Sequence, residues 1–128
     1  MPQCIFCNLP KEKVIDENDL AVAFYDAYPV NEGHVLIIPK RHVETYFDAT
    51  QDEKNAISLL LAKAKEKLDE RFHPDGYNIG VNVGAAAGQT IFHLHVHLIP
   101  RYAGDVPDPR GGVRKIKKSL VPYAEEGE

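Results

Sequence analysis

Residues 93–99 constrain the fold of this chain more than any other stretch, because they read His-Leu-His-Val-His-Leu-Ile. This strict alternation of histidine with aliphatic residues predicts an extended strand. Successive side chains of a strand leave opposite faces, so His93, His95 and His97 are expected on one face, with neighbours about 7 Å apart. Such a row favours a phosphate-sized site, in which one ring is a nucleophile and another a hydrogen-bond donor. A solvated face rich in histidine by chance is the alternative.

Composition limits the class of protein. A chain of 128 residues with 44% hydrophobic and 27% charged residues fits one globular domain with a sizeable core. The net charge of −4 argues against a general nucleic-acid binder. No apolar run approaches the ~20 residues of a membrane span, and the N-terminus lacks the parts of a secretory signal. We therefore expect a cytoplasmic protein with neither a membrane nor a nucleic-acid partner.

Cys4 and Cys7 form a C-x-x-C pair near the N-terminus. The pair fits half of a zinc site, a redox dithiol or incidental cysteines. A redox pair is expected after a strand and at the start of a helix, and only three residues precede Cys4. Zinc needs two more ligands, which histidines can supply. The spacing favours zinc without excluding the other two interpretations.

Two apolar runs, residues 20–25 and 34–39, predict an antiparallel hairpin that ends at a proline. Lys40 and Arg41 follow, and we interpret them as a solvated strand end. His34 and His42 are functional candidates, because five of the six histidines lie in this stretch or in 93–97.

One helix is expected. Thr50 and Glu53 form a capping-box pattern at its start, and Pro74 predicts an end near Phe72 or His73, the latter a surface residue. We expect this helix to cover one face of the sheet and to carry no chemistry. Its apolar stripe comprises Ile57, Leu60, Leu61, Ala64 and Leu68.

Residues 77–83 predict another strand, and residues 84–90 a loop of glycine, alanine and small polar residues. Its glycines leave backbone amides uncovered, which suits a close approach to an anion. A plain hairpin loop is the alternative. The position of the loop beside the histidine row favours the functional interpretation.

Residues 93–99 resemble the signature of the histidine triad (HIT) family, which is His-x-His-x-His-x-x. Further segments are similar to family segments in the same order, namely residues 4–7, 24–26, 33–42 and 82–90. The resemblance spans about residues 4–102. It implies an α+β fold, an antiparallel sheet of about five strands with one main helix packed on one face. It also implies a homodimer that acts on nucleotides at the α-phosphate.

The resemblance implies a role for each matching residue. His95 would attack phosphorus of a dinucleoside polyphosphate or nucleoside phosphoramidate and form a covalent nucleotidyl-histidine, with His97 and His34 as catalytic partners. The purine nucleotide would contact Ile5, Phe6, Leu9 and Phe24 through its base, Asp26 through its ribose, and Asn82, Gly88, Gln89, Thr90, His95 and His97 through its phosphate. Phe6 and Phe24 equally fit an ordinary core.

Some branches of the family, including the galactose-1-phosphate uridylyltransferases, bind structural zinc at matching positions. In this sequence the ligands would be Cys4, Cys7, His42 and His93. Such a site would also orient the strand that presents His95. In other branches the first triad histidine forms a hydrogen-bond relay with the residue at His34 instead. We favour zinc.

The end of the chain departs from the shortest family members. We expect residues 1–128 to form a single HIT domain, with a core to about residue 102 and an irregular tail over 103–128. The basic stretch 113–118 is interpreted as solvated. Alternatively, a polyphosphate is reached from Arg101, Arg110 or Arg114, and residues 125–128 are expected to be disordered.

Three functions are consistent with these residues. The first is a nucleotidyl hydrolase or transferase acting through His95, and the second a catalytically weak purine-nucleotide-binding or scaffold protein. The third is a metalloenzyme whose three triad histidines share one metal, which the strand spacing disfavours because metal–ligand bonds measure about 2 Å.

Overall fold

The computed structural model describes residues 4–117 and has one antiparallel sheet and one long helix. The elements are β1 (Val14–Glu17), β2 (Ala21–Tyr25), β3 (Val35–Pro39), α1 (Gln51–Phe72), β4 (Gly76–Val81) and β5 (Val96–Arg101). The five strands lie in the order β1-β2-β3-β5-β4, and every neighbouring pair is antiparallel. The expected α+β fold and the hairpin of β2 and β3 are confirmed. Among residues 4–117, no helix combines the length and apolar character needed to span a bilayer.

Two predictions concern residues outside this range. Lys118, the end of the basic stretch, and residues 125–128 lie outside the described residues. Within the described residues, the tail has a short 3₁₀ helix at Gly112–Ile116. The boundary between core and tail near residue 102 stays a prediction.

The sheet has two differently covered faces, as strand alternation requires. On one face, buried residues such as Ile37 and Leu98 pack against α1. On the other face, Phe24 and Leu36 pack with Phe6 from the N-terminal segment, residues 4–10. Leu36 pairs with His97 in the register between β3 and β5, so His97 lies on the face away from α1. The helix face supplies the core, and the opposite face is available for chemistry.

The predicted capping box at the start of α1 is confirmed. Thr50 Oγ1 accepts a hydrogen bond from the Glu53 backbone N–H at 3.1 Å, and the Glu53 carboxylate accepts one from the Thr50 N–H at 2.8 Å. The helix ends at Phe72, and the exposed His73 follows in the left-handed conformation with φ 52°.

The prediction of one strand over residues 93–99 is wrong at its start, because β5 begins at Val96. The ladder with β3 ends where Ile37 pairs with Val96. Beyond that point the Pro39 carbonyl accepts a hydrogen bond from the His93 ring at 2.8 Å, and Leu94 N–H donates to the Val43 carbonyl. A side chain therefore occupies an acceptor near the end of β3.

Arg41 is exposed at the end of β3, as expected, and its side chain also has a partner. Its guanidinium donates two hydrogen bonds, at 2.8 and 3.0 Å, to the Glu53 carboxylate. Glu53 is 4% exposed, and the paired guanidinium lowers the pKa of its carboxyl group to about 2. This ion pair ties the end of β3 to the first turn of α1.

Candidate active site

His95 presents one ring nitrogen to the solvent, and the hydrogen bond made by its other ring nitrogen defines the tautomer of the neutral ring. Its Nδ1 lies 2.8 Å from the His93 carbonyl oxygen, which can only accept. Nδ1 therefore carries the proton of the neutral ring, and Nε2 carries the lone pair. Nε2 has no hydrogen-bond partner among residues 4–117. Because no buried side-chain nitrogen there lacks a partner, Nε2 is open to solvent.

His97 has the opposite tautomer, fixed by a chain of hydrogen bonds. The Val30 backbone N–H donates to His34 Nδ1 at 3.0 Å, so the proton of neutral His34 is on Nε2. That nitrogen lies 2.9 Å from His97 Nδ1, which must then accept. The remaining proton of His97 is on Nε2, where it is a donor. The first triad histidine, His93, takes no part in this relay.

Burial favours the neutral form of both His34 and His97. It lowers the pKa of His97 to about 4, and the neighbouring His34 and His95 act in the same direction. Burial also lowers the pKa of His34, against an opposing effect of Asp26. Asp26 Oδ2 lies 3.4 Å from His34 Nε2, and Asp26 Oδ1 accepts a hydrogen bond from the Tyr28 N–H.

A cavity of about 430 Å³ opens between the N-terminal segment and β2. This N-terminal cavity brings together all residues that were expected at the base and ribose, which are Ile5, Phe6, Leu9, Phe24 and Asp26. Phe6 and Phe24 make an edge-to-face contact with ring centroids 5.3 Å apart. Both are also buried in the apolar cluster on this face of the sheet, so they line the cavity and belong to the core at once.

A second cavity of about 460 Å³, the His97 cavity, is lined by His97, His34 and Asn82, and by Val113 and Ile116 of the tail. His95 contacts one lining residue of each cavity. Its ring centroid is 5.2 Å from that of Phe6, which lines the N-terminal cavity, and 5.3 Å from that of His97.

The loop before β5 is held in shape by Gln89. Its side-chain oxygen accepts from Gly84 N–H, and its amide donates to the carbonyls of Glu44 and Ile91. Gln89 is 3% exposed, and its own N–H donates to the Gly84 carbonyl. Gly88 and Thr90, in contrast, are exposed on either side of it.

Cys4, Cys7, His42 and His93 form a possible metal-binding group. One ligand atom from each lies within 4.8 Å of the others. Cys4 Sγ is 3.3 Å from His93 Nδ1, and Cys7 Sγ is 3.2 Å from His42 Nδ1. Two ligands on one tetrahedral zinc ion lie roughly 3.6 Å apart, given bonds of about 2.3 Å to sulfur and 2.1 Å to nitrogen.

The protonation of His93 also fits a metal. Its Nε2 donates to the Pro39 carbonyl, which leaves the Nδ1 lone pair facing the two sulfur atoms. A second group of potential ligands comprises Asp26, His34 and His97. Thus His93 and His97 belong to different groups and His95 to neither, which argues against one metal shared by the triad.

These features can be compared with known proteins. A family model described as the HIT domain matches residues 9–104. The chain belongs to the HIT family. Nucleotide binding is general in this family, and its members are often nucleotide hydrolases or transferases.

Three relatives illustrate the similarity of this HIT protein to others. An uncharacterized 16.1 kDa HIT-like protein of Mycoplasma pneumoniae is 44% identical over 103 residues, covering 77% of this chain and 72% of the relative. An AP-4-A phosphorylase of Mycobacterium tuberculosis is 36% identical over 93 residues, covering 72% of this chain and 48% of the relative. The crystal structure of a Zn-bound histidine triad family protein from Mycobacterium smegmatis has a TM-score of 0.72 and 31% identity, covering 82% and 84% of the two chains.

Sequence reasoning missed the backbone groups that set the tautomers of the HIT site. The N–H of Val30 and the carbonyls of His93 and Pro39 fix three imidazole rings. Backbone groups carry no residue-type signal, so no motif could have revealed them. Lys13 and Tyr28, which line the N-terminal cavity, were also missed, since neither stands in a recognisable motif.

Proposed function

We propose that this HIT protein hydrolyses or transfers nucleoside monophosphates at the α-phosphate of a purine nucleotide, with His95 as the nucleophile. The observation that carries the proposal is the 2.8 Å hydrogen bond from His95 Nδ1 to the His93 carbonyl. It leaves the Nε2 lone pair free to attack phosphorus. An Nε2–P bond forms while the bond from phosphorus to the leaving group breaks, and water or another acceptor then releases the nucleoside monophosphate.

His97 is proposed as the hydrogen-bond donor to the phosphate oxygens. Its Nε2–H follows from the relay through His34 and Val30. A donor already in place where negative charge grows lowers the barrier without reorganisation. His34 acts through His97, as a positioning residue. His95, His97 and His34 therefore have three different proposed tasks.

We propose that the nucleotide extends along both cavities. The purine lies in the N-terminal cavity against Phe6 and Phe24, with the ribose hydroxyls at Asp26. The α-phosphate then lies at His95, and its oxygens reach Asn82 and the backbone of the exposed loop. Gly88 and Thr90 contact the phosphate, while Gln89 acts through the loop that its side chain holds. The leaving group extends towards the His97 cavity.

We further propose that the Cys₂His₂ group binds structural zinc and that the protein is a homodimer. The thiol and imidazole donor set is the one that tetrahedral structural zinc prefers. The Zn-bound relative from Mycobacterium smegmatis supports this choice of metal. Bound zinc would cross-link the N-terminal segment to the residues that precede β5. The homodimer rests on family membership alone.

The proposal is tested by turnover of diadenosine tetraphosphate and of an adenosine phosphoramidate. His95→Ala is expected to lower kcat on the order of 10³-fold or more, while AMP affinity changes only a few-fold. His73→Asn is the matched control, since His73 is exposed at the end of α1, and it should keep wild-type kinetics. Wild-type turnover by His95→Ala would contradict the mechanism. Tight AMP binding without turnover by the wild type would favour the scaffold alternative.

A further inference from the structure

The N-terminal segment, residues 4–10, forms one side of the N-terminal cavity. Six of the fourteen residues that line this cavity belong to it: Cys4, Ile5, Phe6, Asn8, Leu9 and Pro10. The segment itself contains turns and no strand or helix. A base in this cavity would therefore be held between the sheet and a piece of chain outside the sheet.

Few polar contacts hold this segment to the rest of the protein. Within residues 4–117, its hydrogen bonds to other parts of the fold come from Cys4 and Cys7, at 3.2–3.4 Å to the rings of His42 and His93. Its remaining hydrogen bonds are local, such as that of Asn8 to the Cys4 carbonyl. A thiol is a weak hydrogen-bond donor, so these contacts hold the segment weakly when no cation bridges them.

Apolar packing alone is insufficient to order the segment. Phe6 is 8% exposed and contacts the rings of Phe24, His93 and His95. Burying one phenylalanine offsets the conformational entropy of about two ordered residues, and the partly buried Leu9 adds about one more. The segment has seven residues, so its docked position requires a further contribution.

We propose that a metal ion bound by Cys4, Cys7, His42 and His93 docks the N-terminal segment and thereby completes the N-terminal cavity, so that metal occupancy sets nucleotide affinity. The inference rests on the proposed function, which supplies the nucleotide as the ligand. The coupling has a direct covalent route: the two residues between the cysteines are Ile5 and Phe6, and both line the cavity. The metal itself need not touch the nucleotide.

The coupling must be reciprocal. If metal binding raises the affinity for a nucleotide by some factor, the nucleotide raises the affinity for the metal by the same factor. Because this equality holds for any coupling at equilibrium, it checks the two affinity measurements, and hydrogen exchange confined to residues 4–10 distinguishes docking of the segment from general destabilisation.

The test uses the full chain, stripped of metal by a chelator and then reloaded with Zn²⁺. AMP affinity is measured by calorimetry in both states, Zn²⁺ affinity is measured with and without saturating AMP, and amide hydrogen exchange is followed in residues 4–10. We expect AMP to bind at least tenfold more weakly to the stripped protein and Zn²⁺ to restore it. Saturating AMP should raise the affinity for Zn²⁺ by the same factor by which Zn²⁺ raises the affinity for AMP. Zn²⁺ should also slow amide hydrogen exchange in residues 4–10.

A ligand variant outside the cavity separates docking from direct contact. His42 is an exposed member of the metal group and does not line the N-terminal cavity, so His42→Asn weakens AMP binding through docking of the segment and not through a lost contact with the nucleotide. It should bind AMP as the stripped wild type does and gain nothing from Zn²⁺. His73→Asn is the matched control and should respond to Zn²⁺ as the wild type does.

Two results would overturn the proposal: equal AMP affinity in the stripped and zinc-loaded proteins, or failure of Zn²⁺ to bind. Failure of AMP to bind the zinc-loaded protein would instead contradict the proposed function. In that case hydrogen exchange still tests whether the metal docks the segment. Slower exchange in residues 4–10 on adding Zn²⁺ would support docking, and unchanged exchange would refute it.

Discussion

At the scale of single residues, His95 and His97 differ because their Nδ1 atoms meet different partners. His95 Nδ1 faces a carbonyl and must donate, whereas His97 Nδ1 faces the Nε2–H of His34 and must accept. One ring thus presents a lone pair and the other a proton. The alternating motif identified both residues but not this difference, because the partners lie far away in sequence or on the backbone.

The pH dependence of stability tests the buried state of His97. Its pKa is about 4 in the folded protein and about 6.5 in the unfolded chain, so between these values the unfolded state binds the extra proton. The contribution of His97 to the unfolding free energy is therefore fully present above pH 6.5. It falls as the pH drops towards 4, by about 1.4 kcal/mol per pH unit for one such group. Urea unfolding across this range should show a shallower slope for His97→Gln than for the wild type.

His73→Asn is the control for this measurement, because asparagine tolerates the left-handed conformation of that exposed position. It should keep the wild-type slope. An identical slope in His97→Gln and the wild type would mean that His97 is not held neutral by burial.

The ion pair of Arg41 and Glu53 gives a second prediction at this scale. Glu53→Gln removes a buried carboxylate that accepts two guanidinium hydrogen bonds and one from the Thr50 N–H. We expect Tm at pH 7 to fall by about 5 °C. The control is Glu17→Gln, which breaks the exposed pair with Lys40 and should shift Tm by less than about 1 °C. Equal shifts of Tm in the two variants would show that burial of Glu53 does not increase the contribution of its ion pair to stability.

At the scale of elements, local patterns predicted α1 well and the strands less completely. The start and end of α1 follow from Thr50, Glu53 and Pro74, which act within a few residues. The start of β5 does not, because it depends on a ring that occupies the Pro39 carbonyl across the sheet. β1 was not predicted from its residues, since its four residues include two acids and only two apolar side chains.

The turn before β3 depends on Gly33, which has φ +88°. A Cβ at this position would lie 2.9 Å from the Phe72 ring and 3.2 Å from Pro100. Gly33→Ala therefore combines a left-handed backbone with a clash, and we expect a loss of about 2 kcal/mol of unfolding free energy. Chemical denaturation measures this change.

Gly80→Ala is the matched control for Gly33→Ala. Gly80 lies in β4, and a Cβ there would meet nothing within 4 Å. The unfolding free energy of Gly80→Ala should stay within about 0.5 kcal/mol of that of the wild type. A loss of the same size in both variants would contradict the steric explanation.

At the scale of the whole molecule, the site is assembled from parts that are distant in sequence. The N-terminal segment, β2, β3 and the residues around β5 meet on the sheet face that α1 leaves uncovered. Family resemblance identified five residues of the N-terminal cavity and the Cys₂His₂ group, since these are side chains in recognisable motifs. It could not show that the His95 ring contacts both Phe6 and His97, because the contact with Phe6 forms only when the N-terminal segment docks beside the histidine row.

The proposed mechanism depends most on the Nε2 lone pair of His95. The most direct test is to quench the wild-type protein during turnover of diadenosine tetraphosphate and to fragment the peptide that contains residues 93–97 by mass spectrometry. We predict an added mass of one AMP less one water on His95, and none in His95→Ala. An adduct on His93 or His97, or turnover without any adduct, would contradict the assignment of His95 as the nucleophile.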